Sequence, residues 1–399
     1  MNSLSTYLIQ EKLLEITNEV RRNNCENTGL LVGHCGITIF LAYVNQLYDD
    51  PELTIQMENS LQKSLEIFKL DGAAHSFCSG YAGVCWGVNH LVANGKLDAD
   101  LNNLFEEIEP YLTITSENDF QKNLFDFLHG GIGAGIYFLE RLPNPIATQH
   151  LRKIVYYLEA QKLESGIGIR WMNSFMKLDK QSRETEFNLG IAHGIPSIIY
   201  FLSKCYEKNI ENEKCAYLLE NSINWIIEQR INTKSLSLYP AVVKDNVENK
   251  NPSRLAWCYG DLGIAIAIWQ AGKALNRQSW KEEAVFIMLH ASKRKELDAN
   301  SVIDAGICHG TAGIAQFFNR FYWETKDPVF QETANYWIDQ TLKMARFEGG
   351  LAGYKVWRGK DEGWVNDYGL LEGLSGIGLV LYSYISETEP IWDRCLLFS

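Results

Sequence analysis

The sequence has no apolar run long enough to cross a bilayer. The longest, such as Leu262–Ala271, fall well short of the roughly 20 residues a spanning helix needs. It has no basic excess either: 37 Lys and Arg stand against 49 Asp and Glu, a formal net charge of −12. That disfavours a nucleic-acid binder, which carries a basic face, and is compatible with a basic peptide partner. The N-terminal stretch MNSLSTYLIQEKLLEITNEV lacks the basic n-region of a signal peptide, and charges interrupt its apolar residues, so a cytoplasmic protein is expected. Nine cysteines make an odd number, and their spacing forms no compact disulfide framework. In a reducing compartment such cysteines serve as core residues, metal ligands or nucleophiles. Strand signals are sparse. Ser235–Val243 is the best candidate for extended structure, with Pro240 arguing against a central strand.

What the chain does have is an internal repeat. Gly-x-x-Gly followed directly by an apolar stretch recurs at Gly33–Gly36, Gly80–Gly83, Gly130–Gly133, Gly260–Gly263, Gly310–Gly313 and Gly373–Gly376. A seventh copy at Gly194 has Ser197 in place of the second glycine. Successive first glycines lie 47, 50, 64, 66, 50 and 63 residues apart, room for two ordinary helices and their loops. The stretches after the glycines are apolar nearly all round, as buried helices are. Between them lie amphipathic segments such as Asn59–Phe68 and Cys215–Ile227. The pattern predicts an all-α fold, an α/α toroid of seven inner and seven outer helices with small insertions, making one domain of residues 1–399. The longer steps carry those insertions; Lys177–Thr185 reads as polar helix or loop and Lys244–Arg254 as loop. Glycine is expected at these sites for close helix approach and for turns with φ > 0 before each helix.

Aligning the copies puts Val32, Ser79, His129, His193, Tyr259, His309 and Glu372 directly before the first glycine. One residue earlier stand Leu31, Cys78, Leu128, Ala192, Cys258, Cys308 and Leu371. Three histidines and three cysteines thus fall in two adjacent registers. Cysteine thiolates with a neutral imidazole suit zinc, and three protein ligands leave a fourth position open for catalysis. Small cysteines also pack well where helices converge. Register alone leaves ligation and packing both open, and does not choose between Cys258, Cys308 and His309 on one hand and Cys78 and His129 on the other.

RLAWCYGDLGIA (Arg254–Ala265), CHGTAGIA (Cys308–Ala315) and NLGIAHGIPSIIYFL (Asn188–Leu202) resemble the signature motifs of the lanthionine synthetase C-like cyclases, and the seven repeats extend the resemblance over nearly the whole chain. The resemblance implies one Zn2+ per chain, held by Cys258, Cys308 and His309. It also implies an active site containing Asp126, His193, Arg254 and Tyr259. The reaction implied is Michael addition of a peptide cysteine to dehydroalanine or dehydrobutyrine, closing a thioether ring. In that reaction His193 handles the proton for the enolate carbon. Asp126 holds its imidazole or takes the thiol proton, and Arg254 and Tyr259 serve the enolate oxygen. The implied partners are a dehydrated precursor peptide, a separate dehydratase and an export transporter, with peripheral membrane association through such a complex.

Other readings are a glycosidase built on Asp126 and Glu372, which leaves the cysteines idle, and a zinc-stabilised protein that binds glutathione or a peptide. No acidic motif of the kind a terpenoid cyclase needs is present.

Overall fold

The computed structural model describes residues 3–69, 74–173, 186–245, 247, 251–386 and 388–399. All seven glycine motifs open a helix on the residue after the first glycine: His34–Tyr48, Tyr81–Ala93, Gly131–Glu140, Ile195–Glu207, Asp261–Ala274, Thr311–Thr325 and Leu374–Ile385. These helices are buried on every side through most of their length. Seven further helices alternate with them: Ser3–Arg21, Pro51–Leu65, Ile108–Gln121, Pro145–Ala160, Asn212–Glu228, Gln278–Ala291 and Pro328–Lys343. Each of these buries a single stripe. Pro328–Lys343 buries Phe330, Thr333, Ala334, Trp337, Ile338 and Thr341, the spacing of one helix face. Burying a large apolar side chain is worth roughly 1.5–3 kcal/mol, while ordinary residues differ in helix propensity by at most about 0.7 kcal/mol. Packing therefore decides these helices.

The chain forms two compact units. One comprises Met1–Ala74, Cys78–Ala99 and Leu297–Ser399; the other comprises His75–Phe77 and Asp100–Glu296. In the first, the helix of repeat 1 packs against those of repeats 2 and 7, and that of repeat 7 against repeat 6. In the second, the helix of repeat 4 packs against those of repeats 3 and 5.

None of the seven motif helices has a side-chain N-cap. In repeats 1, 2, 3, 6 and 7 the first N–H group, which lacks an intrahelical partner, is met by the loop in front. His34 donates to the Asn27 carbonyl (2.8 Å), Gly131 to Leu124 (3.0 Å), Thr311 to Asp304 (3.1 Å) and Leu374 to Asp367 (2.9 Å), each seven residues back. The loop folds so tightly onto the helix that a side chain has no room. A Cβ at Gly33 would lie 2.2 Å from the Asn27 carbonyl oxygen, and one at Gly313 would lie 1.9 Å from that of Ile307. The expected φ > 0 turn occurs only at Gly260 (φ 91°); the first glycines of the other six motifs have φ between −98° and −150°. Close approach, rather than handedness, is what demands glycine at Gly33, Gly130, Gly194, Gly310 and Gly373.

Among the described residues the strands are three short antiparallel pairs: Leu163–Ser165 with Gly168–Arg170, Glu186–Asn188 with Val242–Lys244, and Val356–Trp357 with Trp364–Val365. The stretch expected to be extended, Ser235–Val243, becomes strand only from Val242. The buried Asp261 carboxylate accepts the N–H groups of Leu238 and Tyr239, fixing that part as an irregular turn. Lys177–Thr185 lies outside the described residues.

Gly313→Ala should cost about 1–3 kcal/mol by overpacking, and Gly166→Ala, where a Cβ meets nothing within 4 Å, should stay within about 0.5 kcal/mol. Urea unfolding of the two variants checks this, and equal midpoints would contradict it. A second expectation concerns His150, whose ring packs edge-on against Phe138 (4.9 Å between centroids) and whose nitrogens make no hydrogen bond; Glu117 is 3.9 Å from Nδ1. Burial, aided by Lys153, lowers its pKa from 6.5 to about 3. The folded state refuses a proton that the unfolded chain accepts. The associated stability is therefore present above pH 6.5 and is lost as pH falls toward 3, at about 1.4 kcal/mol per pH unit. His150→Leu should flatten the pH dependence of unfolding between pH 6 and 4 by that slope; an unchanged slope would contradict the assignment.

Candidate active site

The loops that dock on the motif helices carry the candidate residues, and each unit gathers a cluster from the same registers. In the first unit the residues two places before the first glycine are tied in sequence by backbone hydrogen bonds. Cys308 donates to Leu371 (3.0 Å), Leu371 to Leu31 (2.8 Å) and Leu31 to Cys78 (2.9 Å). This ladder sets the loops of repeats 6, 7, 1 and 2 at one level. It gives Cys78, a buried residue, a place in the loop scaffold.

In the second unit the residues before the first glycine of repeats 3, 4 and 5 come together. The His129 and His193 rings stack at 6.0 Å with an interplanar angle of 14°, and the Tyr259 ring is 6.4 Å from that of His193. Asp126 organises this group. Its carboxylate is shielded from solvent; Oδ1 accepts the His129 N–H (2.8 Å), and Oδ2 lies 2.7 Å from His193 Nδ1. The Asn173 amide donates both to Asp126 Oδ2 (3.2 Å) and to the His193 carbonyl (2.8 Å). A carboxylate at Nδ1 favours the tautomer with its proton on that nitrogen and fixes the plane of the ring. Burial lowers the pKa of His129, with His193 acting in the same direction and Asp126 against it.

The loop carrying Cys258 and Tyr259 is pressed against Gly190, where a Cβ would lie 2.2 Å from the Cys258 carbonyl oxygen and 2.7 Å from the Tyr259 ring. Trp257, fully buried, packs edge-to-face on Phe127 (6.5 Å, 66°) and anchors the same loop. Cys258 is 7% exposed. Arg254 is half-buried six residues before Gly260, its carbonyl 2.9 Å from the position of a Cβ there.

In the first unit Cys308, His309 and Glu372 each offer a ligand atom, and these atoms lie within 4.8 Å of one another. Behind them sits Asp304, 2% exposed, with Oδ2 3.3 Å from His309 Nε2 and also accepting the Trp357 N–H (3.1 Å). Its Oδ1 accepts the N–H of Gly306 (3.1 Å). Burial raises the pKa of Glu372, opposed by His309 and Arg358; Arg358 Nη2 lies 3.6 Å from its carboxylate and also pairs with Asp367. A thiol, an imidazole and a carboxylate at this spacing, with a second carboxylate behind the imidazole, form a donor set that fits zinc.

The structure thus brings Asp126, His193 and Tyr259 together in one unit, and Cys308 with His309 in the other. Cys258 belongs to the unit of Asp126. Sequence reasoning gave no role to His129 and did not single out Asn173 or Asp304. It placed Glu372 in register with His309 but weighed it only as a glycosidase carboxylate. The signal for Glu372 was that shared register. Asn173 lies between repeats and carries no periodic signal.

A profile described as "Lanthionine synthetase C-like protein" matches residues 25–397. The nisin biosynthesis protein NisC of Lactococcus lactis subsp. lactis is 24% identical over 420 aligned residues, covering 97% of this chain and 94% of that protein. The solved structure of nisin cyclase superposes with a TM-score of 0.76 at 21% identity, covering 98% of this chain and 97% of the other. The fold expected from the repeats, an all-α α/α toroid, is the one shared with that structure. With a profile match over nearly its entire length, the chain belongs to the lanthionine synthetase C-like family.

Proposed function

We propose that this protein closes thioether rings in a dehydrated peptide. A cysteine thiol of the substrate adds to the β-carbon of dehydroalanine or dehydrobutyrine: the S–H bond is lost, a C–S bond forms, and a proton is delivered to the α-carbon. The observation that carries this reading is the Cys308–His309 pair, backed by buried Asp304, in a chain of this family. Zinc is the metal this reading calls for, and Cys258, Cys308 and His309 would hold it. When bound, zinc keeps a coordinated thiol deprotonated near neutral pH, where a free thiol of pKa about 8.5 is mostly protonated.

The remaining work falls to the chain's own residues. Asp304 orients the His309 imidazole through Nε2. Asp126 orients His193 through Nδ1, which leaves the opposite edge of that ring as the side that handles the α-carbon proton. Arg254, a permanent cation, stabilises charge on the enolate oxygen, and Tyr259 donates a hydrogen bond in the same region. The substrate of this reaction is already dehydrated, and a dehydratase that supplies it and an export transporter that takes the product are the expected partners. Among the described residues no helix is long and apolar enough to cross a membrane.

The direct test incubates the purified protein with a dehydrated precursor and counts free thiols: they should fall while the peptide mass stays constant, and persistence of every thiol would overturn the reading. Cys308→Ala should lose stoichiometric zinc on metal analysis; retention would remove Cys308 from the ligand set. His193→Ala should keep its zinc and slow ring closure by about 10²–10⁴-fold, the usual weight of a general acid or base. Asp126→Asn should slow it as well with zinc unchanged. Full activity of His193→Ala would end its assignment to proton transfer.

A further inference from the structure

One member of the His193 cluster comes from no motif loop. Asn173 lies in the insertion that lengthens the step between the third and fourth motifs, just after the hairpin of Leu163–Ser165 with Gly168–Arg170. That hairpin is anchored by its own residues. Gly168 sits so close to the helix Asn212–Glu228 that a Cβ would lie 2.2 Å from the Asn221 carbonyl oxygen. Arg170 covers the Phe187 ring (4.0 Å) and pairs with Asp245 (2.8 Å). Trp171 is 1% exposed and donates its indole N–H to the Leu158 carbonyl (2.8 Å). Two residues later the chain presents the Asn173 amide to Asp126 and His193.

The amide nitrogen carries two hydrogens. One points to Asp126 Oδ2 (3.2 Å) and the other to the His193 carbonyl (2.8 Å). Turned over, the amide would set its oxygen against two acceptors, so the network fixes its orientation. His193 is thereby tied twice to one carboxylate oxygen: its ring directly, through Nδ1 (2.7 Å), and its backbone through the Asn173 amide. The side-chain torsions between those two points cannot turn far without breaking one of the bonds. We infer that Asn173 is the positioning residue of the proton-transfer pair. It holds backbone and ring of His193 against Asp126, so that the opposite edge of the ring meets the α-carbon in one orientation. The inference rests on the thioether reading for the reaction it serves, while the geometry it invokes belongs to Asp126, Asn173 and His193 alone. Misplacing a reacting group by about 1 Å costs up to about 10²-fold in rate, and that is the loss a slack His193 would bring.

The test uses the full-length, zinc-loaded protein and a dehydrated precursor. Asn173→Ala should keep its zinc, hold KM within about twofold of wild type and lower kcat by about 10–10²-fold. Asn173→Asp keeps the side chain's shape but has no N–H to give, so it should be at least as slow; it also keeps the test valid if the Ala variant fails to fold. The double variant His193→Ala with Asn173→Ala should be no slower than His193→Ala alone, because a residue that acts through His193 has nothing left to position. A readout independent of activity is the His193 Nδ1 proton, a downfield 1H NMR signal identified by its loss in His193→Ala. In both Asn173 variants it should exchange with water about tenfold faster or more. A kcat within about twofold of wild type with that signal unchanged, or losses that multiply in the double variant, would overturn the inference and leave the thioether reading standing. If the wild-type protein closes no ring, the thioether reading falls, and the NMR comparison still decides whether Asn173 holds His193.

Discussion

The arrangement depends on one backbone interaction repeated along the chain: in repeats 1, 2, 3, 6 and 7 the loop before the motif helix folds back and offers a carbonyl to the helix's first N–H group. That docking replaces the side-chain caps these helices lack. It leaves no room for a Cβ at Gly33, Gly130, Gly310 and Gly373. It also fixes the one or two residues before each first glycine, so chemistry placed in those registers is held by backbone rather than by side-chain packing. The ladder Cys308–Leu371–Leu31–Cys78 carries the effect from loop to loop within the first unit. A helix N-terminus has partial positive charge, which suits the thiolates and carboxylates gathered in front of it.

Two imidazoles in the molecule are held the same way. His193 has Asp126 at Nδ1 and His309 has Asp304 at Nε2, and both carboxylates are almost fully buried. A buried carboxylate is costly unless its oxygens are satisfied. Both are: Asp126 by the His129 N–H and the Asn173 amide, Asp304 by the Gly306 and Trp357 N–H groups. Because these donors are mostly backbone, the carboxylates cannot drift, and the imidazoles they orient cannot either. The two pairs then differ in employment. One faces a thiol and a carboxylate, the setting in which ligation is proposed; the other stacks on a second histidine beside a tyrosine, the setting in which proton transfer is proposed.

Much of this was visible in the residue order, for a physical reason. Repeats impose the same burial on equivalent positions, so seven apolar stretches after seven glycine motifs read out as seven helices. The registers before the first glycine held His193, His309 and Tyr259 and, one place earlier, Cys258 and Cys308, but they held His129 and Cys78 equally, and the family resemblance made the choice. The role of the glycines was less visible. Close approach and positive φ leave the same residue in the sequence, and only Gly260 turned out to need the second. Asp126 was found through family resemblance, since an aspartate four residues before a glycine is also what an ordinary cap looks like. Asn173 and Asp304 escaped because their importance comes from contacts made across loops, to His193 and to Trp357, that no local pattern encodes. The turn at Leu238 and Tyr239 escaped likewise: its shape is dictated by Asp261, more than twenty residues away.

The central claim is that thiolates presented by docked loops share a metal with an imidazole. Zinc K-edge X-ray absorption on the purified, zinc-loaded protein tests it most directly. The account predicts two sulfur neighbours at about 2.3 Å, with nitrogen and oxygen completing the shell at about 2.0–2.2 Å. A shell of nitrogen and oxygen alone would contradict it.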